Sequence, residues 1–280
     1  MTLSKTNRFL MLIFFSVYCF IYPSSLFLLM TDRVPAGTEW MASLMLVLEG
    51  LVAMAWVMLN YGPWRGFTAA LAVLSGAFAV ETIGVKTGFP FGQYEYTDVL
   101  SPKLLVVPVG IMFAWLMMIL SSFFTARYIV HRLWPRRGLG AIILLSAALT
   151  CSSDLLMEPV AVHIQGYWTW LENGSYYGVP ISNFVAWGVT SLLLALVLTG
   201  LIGQETREAN KSTRLNFMFI PIALYMMNLL MFAAINLTHN NLLAGMIGIA
   251  ALVACGLALL RARQIELNLT IKHKELKENV

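Results

Sequence analysis

The stretch from Leu104 to Val130, LLVVPVGIMFAWLMMILSSFFTARYIV, decides the fold: it carries a single charged residue, Arg127, and is long enough to cross the hydrocarbon of a bilayer as a helix. Further runs of the same character lie near 9–30, 40–60, 66–85, 138–158, 181–203, 215–236 and 241–261. About 20 apolar residues span a membrane, so eight spans fit, and the predicted fold is an all-α polytopic bundle of transmembrane helices. Polar residues enter the outer ends of the third and fifth runs, which leaves a seven-span count as the alternative. Composition agrees with lipid as the solvent: of 280 residues 59% are hydrophobic and 11% charged, with a mean hydropathy of +0.76, whereas soluble domains carry about 25% charged residues. The first run is too long for a signal-peptide core and no small-residue cleavage site follows it, so it reads as a retained helix in a chain starting near Met1.

Lysines and arginines give the orientation. With the N-terminus inside, the inner segments hold Lys5, Arg8, Arg65, Arg127, Arg132, Arg136, Arg137, Arg207, Lys211 and Arg214 together with five in the tail, while the outer segments hold only Arg33, Lys86 and Lys103. That asymmetry is a strong positive-inside signal and predicts a multi-pass cell-membrane protein with both termini cytoplasmic. A transmembrane domain over 1–262 and a charged cytoplasmic tail over 263–280 follow. The net charge of +4 is explained by orientation, and nucleic acid is set aside as a partner. Cys19, Cys151 and Cys255 all fall inside apolar runs and carry no ligand spacing.

The two longest outer segments resemble one another. The first reads Glu81, Gly92-Gln-Tyr94-Glu-Tyr96, Pro108, Trp115; the second reads Asp154, Gly166-Tyr-Trp168-Thr-Trp170, Pro180, Trp187. Each has an acid, Gly-x-aromatic-x-aromatic, then proline and tryptophan seven residues apart. Internal repeats in membrane proteins often flank the working site, and here the copies would be parallel, related by an axis along the membrane normal. Glu81 and Asp154 would then be equivalent, and both would face one cleft. Glu158 follows Asp154 by one helical turn on the same face. Glu49 is the most central acid of the chain. An acid at the middle of a span costs about 2.5–3.5 kcal/mol on insertion scales and usually faces a bundle interior or a wet cavity, although an acid near a helix end can simply be solvated and a buried asparagine can simply join helices. Tyr94, Tyr96, Trp168, Trp170, Tyr176 and Tyr177 have a double reading too: an interfacial belt, or the lining of a pocket whose ring faces stabilise a cation.

No Walker loop, dinucleotide fingerprint or His-Glu-x-x-His occurs, and His131, His163, His239 and His273 are scattered. Neither a metal nor a cofactor is expected.

The stretches Glu81-Thr-Ile-Gly84-Val-Lys-Thr87-Gly88-Phe-Pro90-Phe-Gly92-Gln-Tyr94-Glu-Tyr96, Val107-Pro108 to Trp115, Asp154-Leu-Leu-Met-Glu158-Pro159, Tyr167-Trp168-Thr-Trp170 and Tyr177-Gly178-Val-Pro180-Ile-Ser-Asn183-Phe184-Val-Ala-Trp187 resemble the integral-membrane carotenoid biosynthesis proteins that include gamma-carotene 1',2'-hydratases and bisanhydrobacterioruberin hydratases. The resemblance covers residues 81–187 and does not extend to Glu49. It implies addition of water to a terminal isopropylidene double bond of a long polyene, giving a tertiary alcohol without a cofactor. The partners implied are a carotenoid dissolved in the bilayer, water, and other enzymes of the same pathway.

Such a hydration proceeds by protonation to a tertiary carbocation and capture of that cation by water, so it needs an acid and a base. One of two close buried carboxyls can keep a proton at neutral pH while the other stays ionised. The expected roles are Asp154 as proton donor, Glu81 or Glu158 as the group that deprotonates water, and Tyr94, Tyr96, Trp115, Trp168, Trp170, Tyr177, Asn183 and Trp187 around the substrate. Two other classes fit the same features: a carotene end-group cyclase or isomerase, which starts from the same protonation, and a non-enzymatic isoprenoid or lipid transporter.

Overall fold

A computed structural model describes residues 3–202 and 217–278. Arg207, Lys211 and Arg214, counted above on the inner side, lie outside the described residues, as do the side chains of Lys5 and of residues 272–278. Among the described residues eight helices are long and apolar enough to cross a membrane, which favours eight where the sequence left seven or eight. They are α1 (Leu3–Met30), α2 (Trp40–Tyr61), α3 (Pro63–Thr87), α4 (Val109–Leu133), α5 (Gly138–Pro159), α6 (Ile181–Ile202), α7 (Phe219–Thr238) and α8 (Leu242–Glu278).

Local chemistry sets the ends of the third span. Pro63 opens α3, where its missing N–H costs nothing. Gly88, at φ +76°, stops it and returns its N–H to the Gly84 carbonyl. The fourth span begins later than the apolar run suggested. Residues Lys103–Leu104 (β2) and Val107–Pro108 (β3) pair as a small hairpin instead, and Leu105 turns at φ +54°. Pro108 cannot supply a helical N–H, so the helix starts directly behind it. The charged tail continues α8 without a break, and Glu266 is bound there by Arg132 at 3.1 Å and by the Tyr128 hydroxyl at 3.0 Å.

α4 is the central helix, with Trp115, Leu116, Phe123, Phe124 and Ala126 buried, and α2, α3, α5, α7 and α8 pack around it. The bundle packs closely where side chains are small. A Cβ on Gly50 would come within 2.8 Å of Phe113, so α2 and α4 touch backbone to side chain at that level. Phe20, Leu144, Leu193 and Leu260 stand on the outer surface, as lipid contact requires.

Two short ribbons qualify the all-α description. Tyr94–Tyr96 (β1) pairs antiparallel with Trp168–Trp170 (β4), in the register Tyr94 to Trp170, Glu95 to Thr169 and Tyr96 to Trp168. The two copies of the Gly-x-aromatic-x-aromatic motif are therefore hydrogen-bonded to each other, and a pseudo-two-fold axis passes through the Glu95–Thr169 pair. Under it α3 corresponds to α5 and α4 to α6. The packing of α3 on α6 and of α4 on α5 obeys that relation.

Candidate active site

Alternation along a strand points every second side chain the same way. In β1 this sends Tyr94 and Tyr96 down onto α3, and in β4 it sends Trp168 and Trp170 down onto α5. Both Tyr94 and Tyr96 donate their hydroxyls to Glu81 Oε2, at 2.5 and 2.7 Å, and Trp115 Nε1 donates to Glu81 Oε1 at 2.8 Å. In the other half Trp168 Nε1 and Trp170 Nε1 donate to Glu158 Oε2, at 3.2 and 3.0 Å, and Asn183 Nδ2 donates to Glu158 Oε1 at 3.1 Å. Each carboxyl is held by both aromatic residues of its own strand and by one donor from the following helix.

This geometry corrects the alignment drawn from sequence. The structural counterpart of Glu81 is Glu158, not Asp154. Acid-to-glycine spacings of 11 from Glu81 and 12 from Asp154 pointed to Asp154, but α5 runs on through a π turn, Val160–Ile164, almost to Gly166, whereas α3 stops at Gly88, so the matching acid stands nearer its glycine in sequence. Asp154 lies one turn deeper, fully buried. Asn183 Nδ2 also donates to its Oδ2 at 3.1 Å, while its Oδ1 has no partner among the described residues. Asp154 thus reaches the site through Asn183.

Glu81 and Glu158 face a common cavity of about 30 Å³, room for about one water molecule. Tyr94, Tyr96, Trp115, Trp168, Trp170, Asn183 and Trp187 line it as the sequence predicted. Phe91, Ile111, Ala114 and Met157 complete the wall; apolar and without pattern, they gave no signal in the sequence. Trp115 and Trp187, the residues seven after each proline, stack with centroids 3.8 Å apart and planes 9° apart. Tyr177 is not brought to this site. Its carbonyl accepts a bond from His163 Nε2 at 2.8 Å and its hydroxyl accepts one from the Ala244 N–H, so it ties the loop between α5 and α6 to the start of α8.

Burial raises the Tyr94 and Tyr96 phenols well above their ordinary range, and the nearby Glu81 carboxylate adds to the shift. Both therefore act as fixed donors. The ion pairs found among the described residues, Lys103–Asp98 and Arg132–Glu266, lie elsewhere and do not touch the three acids. Glu49 belongs to a separate cluster: Asn228 Nδ2 donates to its Oε1 at 3.3 Å, and Asn228 also contacts Met117 Sδ. That contact joins α2 to α7 and α4.

An all-α membrane bundle whose two internal halves each clasp a carboxyl in an aromatic shell defines a membrane protein with an acid site enclosed near one end. The family model for carotenoid biosynthesis proteins matches residues 41–255, which contain every residue of this site, and the chain belongs to that family. A curated relative, the bisanhydrobacterioruberin hydratase of Haloarcula japonica, is 30% identical over 196 residues, covering 69% of this chain and 63% of its own length. The match thus spans less than two thirds of that relative. No solved structure matches the chain.

Proposed function

We propose that the chain is a carotenoid hydratase that adds water to a terminal isopropylidene double bond of a long polyene drawn from the bilayer. The observation that carries this reading is the pair Glu81 and Glu158 facing one aromatic-walled cavity, with Asp154 behind as a third acid. Three enclosed carboxyls with no counter-ion among the described residues do not all ionise, because each charge loses solvation and repels the others. Glu81 and Glu158 each receive three hydrogen bonds suited to a carboxylate, whereas Asp154 receives one. Asp154 therefore holds the transferable proton.

Protonation of the alkene CH carbon uses the π electron pair to form a C–H bond and leaves a tertiary cation. A water lone pair then forms the C–O bond, and a carboxylate takes the proton that water releases. Of the three acids, Glu81 and Glu158 touch the space in which these atoms meet. The ring faces of Trp115, Trp187, Trp168 and Tyr96 offer the cation a negative π surface and keep bulk water away from it. The relative named as a hydratase supports the same reaction class. Basic residues concentrated on one side of the bundle support an orientation with both termini cytoplasmic and the site near the outer face.

A cyclase or isomerase would begin with the same protonated intermediate, and a transporter would leave the polyene unaltered. Expression in a carotene-producing bacterial host, followed by pigment mass spectrometry, separates the three. A hydratase adds the mass of water at each reacted end. An isomeric pigment of unchanged mass supports the cyclase, and unchanged pigment supports the transporter.

A further inference from the structure

The pseudo-two-fold axis makes it possible to ask, position by position, what one half of the site has that the other lacks. The acids Glu81 and Glu158, the aromatic pairs on β1 and β4, and the stacked Trp115 and Trp187 are matched across it. Two places that carry a polar group in one half are apolar in the other. One turn before its acid α5 carries Asp154, where α3 carries Ala77, and all four of these helical positions are buried. Three residues after its proline α6 carries Asn183, where α4 carries Ile111, and both of these line the cavity. The difference runs further along α5. Thr150 and Ser146 continue the buried column one and two turns beyond Asp154, where α3 has Val73 and Ala69. Like Asp154 Oδ1, the Ser146 hydroxyl has no partner among the described residues.

We propose that Asp154 and Asn183 polarise an otherwise symmetric site, so that the Glu158 half delivers the proton to the alkene and the Glu81 half removes one from water. This rests on the hydratase reading and assigns the direction of its chemistry. Asn183 Nδ2 bridges Asp154 Oδ2 and Glu158 Oε1 at 3.1 Å each. It ties the two carboxyls into one hydrogen-bonded unit, and of the two it is Glu158 that faces the cavity. Glu158's other donors are indoles, which do not release protons, so its proton comes from Asp154 or from water beside it. Glu81 has only apolar neighbours, Ala77 and Ile111, at the equivalent positions, so no second acid stands behind it to supply a proton, which makes it the base. Asn183 is a positioning residue in this scheme. After each turnover the proton gained by Glu81 returns to the Asp154–Glu158 pair, and the atoms balance as alkene plus water giving alcohol.

The symmetry supplies the test, because the apolar pair is already accommodated by this fold in the mirrored place. Asp154→Ala with Asn183→Ile should reach the membrane in normal amount and hydrate at least about 100-fold more slowly, the lower end of what one general acid contributes. Adding Ala77→Asp and Ile111→Asn to that background should restore conversion at least about tenfold, the polarity now being reversed. Conversion by the double variant within about threefold of the parent, or no recovery in a reconstituted chain of parental abundance, overturns the proposal. Infrared spectra of the purified protein give a readout independent of the reaction. The C=O stretch of a protonated buried carboxyl should vanish in Asp154→Asn and persist in Glu81→Gln, and the opposite pattern overturns the assignment. Failure of the hydratase reading looks different: the parent chain would add no water to the pigment while the infrared assignment stood.

Discussion

Trp115 and Trp187 lie face to face across the pseudo-two-fold axis, 3.8 Å between centroids and 9° between planes, yet of the two it is Trp115 Nε1 that donates to an acid of the site, Glu81 at 2.8 Å. Two residues in equivalent places have divided their work: both supply a ring face, while one also fixes a carboxylate.

Trp115→Phe should separate these contributions. The stack is retained and the hydrogen bond to Glu81 is lost, which for a charged acceptor costs about 1.5–3 kcal/mol. Conversion should fall about 10- to 100-fold, with membrane abundance little changed. Loss of abundance without loss of specific conversion would make the indole N–H a structural group only.

Trp168 and Trp170 are expected to act on Glu158 and on the substrate, not as interfacial anchors. Phenylalanine keeps the ring face and removes the donor; leucine removes both. Conversion should fall about tenfold for phenylalanine, from the lost hydrogen bond, and further for leucine, when pigment is measured against the amount of protein in the membrane. Parental conversion in both variants would return the rings to the belt reading.

Alkaline stability reports on Tyr94 and Tyr96. Burial, reinforced by Glu81, raises both phenols in the folded chain. A phenol that resists ionisation only when folded contributes stability that is whole below about pH 10 and is lost as the pH rises beyond it, because the unfolded chain can release a proton that the folded chain must keep. The melting midpoint in detergent should therefore drop above about pH 10, and Tyr96→Phe should flatten that drop. An identical alkaline profile in the variant would show that these phenols do not limit stability.

Topology can be read at Asp98, which is fully exposed beside Lys103 in the loop after β1. A cysteine placed there, with Cys19, Cys151 and Cys255 removed, should react with an impermeant thiol reagent in intact cells. Labelling only after lysis would invert the orientation and put the site near the inner face.

Much of this was legible in the sequence because lipid imposes a length rule: the eight apolar runs became eight helices, seven with ends shifted by a few residues and the last running on through the charged tail to Glu278. The exception at Leu104 shows the limit of hydropathy, since an apolar hairpin before Pro108 reads the same as the start of a span. The motif Gly-x-aromatic-x-aromatic was visible, and its period of two already implied that its rings share a face. That the two copies pair with each other was not visible, because pairing is a long-range relation with no local signature. The same blindness misassigned the partner of Glu81: counting residues between acid and glycine cannot register that α5 continues through a π turn almost to its glycine where α3 stops at Gly88. Tyr177 looked like a pocket residue by proximity to the motif, but its left-handed backbone, φ +49°, turns it toward His163 and Ala244.

The central claim is that carboxyls of this chain add water itself to the polyene, and the origin of the product oxygen tests it most directly. Purified protein in lipid vesicles containing carotene is incubated in water enriched in heavy oxygen, and the pigment is analysed by mass spectrometry. The parent chain should form a hydroxylated product whose new oxygen is heavy, and Glu158→Gln should lose it. A hydroxyl bearing light oxygen, or the same labelled product from Glu158→Gln at the parental rate, would contradict the claim.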